Sequence, residues 1–176
     1  MLTKTDIEEY FTAEKQESLV FLVIGIVAIA MALIFYFGGK SNFYKGVAIP
    51  LLLLGIVQAI AGYSVYTKSD DQRISNVYAL DMNPDQLKTV ELTRMRKVKT
   101  NFKILRWVEV AAVFAGLILI LLFRMSPDKT LWLGLGIAFM LMSGEFMIAD
   151  YIAGKRASVY LWLLEDFNQH GGNAKR

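Results

Sequence analysis

Four long apolar runs set the pattern of the chain, at 19–37, 47–66, 108–123 and 131–152. A bilayer core about 30 Å thick is crossed by roughly 20 helical residues. The first, second and fourth runs match that length. The third is shorter, and Leu105 and Trp107 extend it at the interface. Small residues recur at helical spacing inside the runs: Gly25, Ala28 and Ala32; Gly55, Ala59 and Gly62; Ala111, Ala112, Ala115 and Gly116. Such faces let helix backbones approach closely. The pattern predicts an all-α membrane protein of four transmembrane helices with amphipathic cytoplasmic helical extensions.

The polar stretches divide the chain into five segments. Residues 1–18 read as an amphipathic N-terminal arm, with Thr5 as N-cap, Glu8 completing a capping box, and Ile7 and Phe11 one turn apart. Residues 19–66 form a first hairpin, closed by the short loop GGKSNFYKG, with Pro50 in the first turn of its second span. Residues 67–106 are a cytoplasmic basic helical segment. Within it Asn83 as N-cap, Pro84 at N1 and Gln86 at N3 mark a helix start. That helix is expected to run through the third span to Phe123, roughly 60 Å. Residues 107–153 form a second hairpin, with Ser126 and Pro127 opening its last helix. Residues 154–176 are an amphipathic tail along Val159, Leu163 and Phe167, ending in GGNAKR, which is expected to be disordered.

Charge then orients the hairpins. If all four runs span, the N-terminus, the central segment and the tail share one side. That side holds fifteen of the 19 Lys and Arg residues, and the two outer loops hold the other four. The positive-inside rule places both termini in the cytoplasm, and we expect a bacterial inner membrane. Asp6, Glu8, Glu9, Glu14 and Glu17 precede the first run and argue against a cleavable signal peptide. The two halves share a plan and a short residue echo, Arg73 to Asp81 against Arg156 to Leu163. It reads either as coincidence or as a weak parallel repeat of two hairpins, which brings Gln58 and Glu145 near equivalence.

Chemistry is sparse. The absence of cysteine excludes disulfides, thiolate metal sites and a cysteine nucleophile. The single histidine, His170, sits in the tail and founds no metal site. No Gly-rich phosphate loop or nucleophile elbow is present. The expectation is a protein without enzymatic activity, cofactor or metal. The polar candidates inside the spans are Glu145, Gln58, Glu109 and Asp150. Glu109 is one turn from Arg106, which suggests an intrahelical ion pair. Glu145 lies about 10 Å from the cytoplasmic end of its span. It reads either as an interhelical contact, protonated or paired with Gln58, Tyr63 or a basic residue, or as a proton- or cation-binding group.

Arg94, Arg96, Lys97, Lys99, Lys103 and Arg106 form a basic juxtamembrane cluster beside an apolar stripe of Val98, Phe102 and Leu105. It serves as a positive-inside anchor, a site for anionic lipid headgroups or a docking surface for an acidic partner. Nucleic acid is not an expected partner, because the cluster abuts the membrane. The expected partners are membrane lipids and either a second copy or another membrane protein. Two functions follow: a non-catalytic membrane interaction protein (an accessory or regulatory subunit, or an immunity-type protein), or a small oligomeric transporter or channel using the embedded carboxylate.

Overall fold

The computed structural model describes residues 2–170. Over these residues the chain is all-α, with four long helices joined by tight turns. They are α1 (Lys4–Gly38), α2 (Asn42–Met82), α3 (Pro84–Phe123) and α4 (Thr130–His170), the last preceded by a 3-10 turn at Pro127–Lys129. Each is long and apolar enough to cross a membrane. The GGNAKR tail lies outside the described residues.

Helices of 35 to 41 residues are roughly 50–60 Å long, well beyond the ~30 Å of a bilayer core. The surplus gathers at one end. There the start of α1, the end of α2, the start of α3 and the end of α4 enclose a conventional core. Ile7, Phe11, Leu87, Met95, Tyr160 and Leu164 are almost fully buried in it. Along the rest of the bundle the rule inverts. Ile34, Leu53, Ile60, Phe114, Leu122 and Leu141 all point outward. The molecule is thus a buried head on an outward-apolar stem.

In the stem the helices stand in the order α1, α2, α4, α3, so the second helix of each hairpin lies at the centre. Small residues make this possible. A Cβ on Gly25 would sit 2.7 Å from the Ala59 backbone nitrogen, so α1 and α2 touch backbone to backbone. A Cβ on Gly46 would fall 2.0 Å from the Leu131 carbonyl oxygen, where α2 meets α4. Gly46 was not among the small residues that the spacing singled out. α1 and α4 touch only sparingly, and a lateral groove opens between them.

Several helix starts differ from the sequence reading. The capping box is Thr3 with Asp6, not Thr5 with Glu8: the Thr3 hydroxyl accepts from the Asp6 N–H at 3.2 Å, and the Thr3 N–H donates to the Asp6 carboxylate at 2.8 Å. The choice follows from packing, because this register buries both Leu2 and Ile7, the residues flanking the first turn, in the head core. α2 begins at Asn42 with Ser41 as its cap, so Pro50 lies inside the helix rather than in its first turn. Asn83 stands at the cap position of α3 but its side chain makes no cap bond, and Gln86 instead donates to the Ser75 hydroxyl at 3.0 Å. Ser126 likewise makes no side-chain cap bond. The next turn of α3, Leu87–Glu91, is π-helical. The wider turn brings Leu87 and Leu92, five residues apart, onto the same buried side.

Candidate functional site

α2 and α4 run parallel at the centre of the stem, and a polar contact between them joins the two residues expected to matter. The Gln58 amide nitrogen donates to both carboxylate oxygens of Glu145, at 3.0 and 3.2 Å. Gln58 is fully buried, and its carbonyl oxygen finds no donor. Glu145 is half-buried. Next to it, a Cβ on Gly144 would meet nothing within 4 Å, because both residues border the lateral groove.

The groove has a volume of about 1210 Å³. One wall is α1, with Val20, Phe21 and Ile24; the other is α4, with Leu141, Ile148 and Ile152. Asp150 also borders it, at the head end of that wall. Asp150 and Glu109 approach one another across the α3–α4 interface. The intrahelical pair of Glu109 with Arg106 does not form. Glu109 is buried and one of its oxygens has no partner, while Arg106 stands exposed. The inward face of α3 carries Glu109 toward α4, and Arg106 stays in contact with solvent.

Where the groove meets the head, a polar network closes it. Tyr10 donates to Glu14 at 3.1 Å, and Ser69 donates to the other Glu14 oxygen at 3.3 Å. Burial pushes the Glu14 carboxyl above its ordinary value, opposed chiefly by nearby Arg94. Arg94 makes a two-pronged contact with Glu91, both bonds 2.8 Å, and lies 5.5 Å over the Phe11 ring. Burial works against the Arg94 charge, but the Glu91 bonds together with the charges of Glu91, Tyr10 and Glu14 outweigh it and raise its pKa. Arg156 is ion-paired with Glu17 and lies 5.6 Å from the Tyr10 ring centre. Tyr160 stacks on Tyr10 at 4.3 Å, and burial raises the pKa of both phenols. Lys15 and Asp70 tie α1 to α2 beside it; their hydrogen bond raises the pKa of the lysine and lowers that of the aspartate.

The basic cluster is split by the fold. Lys97, Lys99, Lys103 and Arg106 are exposed, and so is Arg96, which reaches Glu165 on α4 at 3.2 Å. Arg94 parts from them and turns into the head. It lies four residues before Val98, so it shares the face that packs inward. Val98 and Phe102 pack on the head core, but Leu105, the third member of that stripe, is exposed.

Sequence reasoning missed Tyr10, Glu14, Glu17, Glu91, Arg156 and Tyr160 as members of a site. Glu17 and Arg156 carried a usable signal. One stands just before the first apolar run and the other just after the last, so the topology puts opposite charges at one level. Among the described residues no group of three acidic, histidine or cysteine side chains is placed to hold a metal ion. No protein family model, curated protein or solved structure matches this chain.

Proposed function

We propose that the chain is a non-catalytic integral membrane protein that recognises a membrane-borne partner through the groove between α1 and α4. An accessory or regulatory subunit, or an immunity-type protein, is the role that fits. The outward-apolar stem supports insertion, since contiguous apolar surface on this scale is not left facing water. The charge bias supports an inner-membrane orientation with head and termini in the cytoplasm. The two-hairpin row, with α2 and α4 at the centre, agrees with a parallel repeat. The observation that carries the functional reading is the groove itself: apolar walls open sideways to the bilayer, and the head network seals one end.

The cysteine-free sequence makes the topology test direct. A single cysteine at Asn42 should react with an impermeant thiol reagent only from outside, and one at Thr89 only from the cytoplasm. The reverse or equal labelling refutes the orientation. For the role, affinity purification from native membranes is compared with Gly144→Trp, which fills the groove. A stoichiometric partner lost in that variant supports the reading; equal recovery overturns it.

A second reading, a small oligomeric transporter or channel, is favoured by Glu145, which borders the groove and is bonded to the buried Gln58. Proton-linked flux in liposomes that disappears in Glu145→Gln is its expected signature.

A further inference from the structure

The groove has a charge character that its apolar walls conceal. Seven ionisable side chains with a formal charge border it, and they fall into two sets. At the head end Arg156 is ion-paired with Glu17, although its buried Nε has no acceptor, and Arg94 is matched by Glu91 and lies beside Glu14. Lys68 is exposed at the mouth. Deeper, between the apolar walls, stands Glu145, while Asp150 borders the head end of the α4 wall and meets Glu109 across the α3–α4 interface. Neither Glu145 nor Asp150 forms an ion pair among the described residues.

Glu145 is also short of donors. A carboxylate offers about four lone-pair sites, and Glu145 receives a single amide nitrogen shared between its two oxygens. The carbonyl of Gln58 also receives nothing, but it is fully buried and does not border the groove, so the open acceptor facing the groove is the Glu145 carboxylate. Unmatched acceptors in an apolar setting are costly. A positively charged donor entering the groove would complement this carboxylate.

We propose that this groove binds a lipophilic organic ammonium, with the ammonium at Glu145 and the apolar body along Val20, Phe21 and Ile148. A small metal ion fits poorly, because hard cations need several converging oxygens and the walls supply hydrocarbon. An alkyl- or arylammonium fits both features. It loses little hydration over its apolar body, it donates N–H to the carboxylate, and low dielectric strengthens the attraction. Phe21 adds an aromatic face for the cation. The volume, about 1210 Å³, exceeds that of ordinary small-ligand pockets, roughly 300–1,000 Å³, so a drug-sized or longer amphiphile is admitted. The proposal rests on the membrane-embedded reading above and names the chemistry that the groove recognises.

The test uses three probes of one shape and different charge: 1-pyrenemethylammonium, 1-pyrenemethanol and 1-pyrenecarboxylate. Each is titrated by fluorescence against the full chain in phosphatidylcholine nanodiscs, with empty nanodiscs as the baseline. The ammonium should bind saturably and at least tenfold more tightly than the other two. Glu145→Gln should weaken the ammonium at least tenfold and leave the alcohol unchanged. Gly144→Trp, which keeps the carboxylate but fills the groove, should abolish saturable binding of the ammonium and guards against a folding defect in the first variant. Equal binding of the three probes, tighter binding of the carboxylate, or an unaltered Glu145→Gln overturns the proposal. Failure of the embedded reading is seen separately, in the cysteine labelling at Asn42 and Thr89.

Discussion

The Gln58–Glu145 contact predicts a measurable coupling between the two hairpins. One amide nitrogen serves both carboxylate oxygens, at 3.0 and 3.2 Å, so the pair amounts to about one charge-assisted hydrogen bond. In water-soluble folds such a bond contributes roughly 1.5–3 kcal/mol. Between membrane helices measured cycles average about 0.6 and reach about 1.7 kcal/mol, since the separated helices find other partners. The expected coupling is about 1 kcal/mol, roughly fivefold in the folding equilibrium. The two single variants should also be unequal. Gln58→Ala strips a carboxylate of its donor inside the stem, whereas Glu145→Ala leaves only a neutral amide, so Gln58→Ala should be the more destabilising. The assay is unfolding by sodium dodecyl sulfate in mixed micelles, followed through the fluorescence of Trp107, Trp132 and Trp162, for the wild type, both single variants and the double variant. A coupling below about 0.3 kcal/mol, within the spread of independent sites, or Glu145→Ala proving the worse variant, refutes the view that this pair joins α2 to α4.

Two further outcomes follow from the packing and from the head. Gly25→Ala puts a methyl 2.7 Å from the Ala59 nitrogen and should cost about 1–3 kcal/mol through overpacking, whereas Gly144→Ala meets open space and should be nearly silent in the same unfolding assay. Burial raises the folded-state pKa of Glu14 above its ordinary value of 4.5, so the folded head holds this proton more tightly than the unfolded chain does. Its contribution is therefore most favourable below pH 4.5 and declines as pH rises through the raised value. Glu14→Gln should flatten that decline, seen by repeating the unfolding curve between about pH 4 and 8; an unchanged pH slope refutes the assignment.

How far the sequence reaches is set by how far apart the interacting residues are. Elements governed by one continuous stretch were legible: four helices of membrane length, and the long helix from Pro84 to Phe123. The cap of α1 lies two residues earlier than the sequence reading puts it, because Thr3–Asp6 and Thr5–Glu8 satisfy the same local rule and only burial of Leu2 and Ile7 in a core built from four helix ends separates them. Arg94 shows the same limit more sharply. By composition it belongs with Arg96, Lys97 and Lys99. By period it belongs with Val98 and Phe102, which pack inward. A basic residue is easily assigned to the solvent when its counter-charge is unknown. Here the counter-charge is Glu91 one turn earlier, itself buried in the π-helical turn. The groove follows from the same non-local arrangement. Hairpin pairing puts α2 and α4 at the centre and leaves α1 and α4 in sparse contact. That turns a lone Glu145 in an apolar run into a carboxylate with a fixed amide partner on one side and an accessible apolar channel on the other.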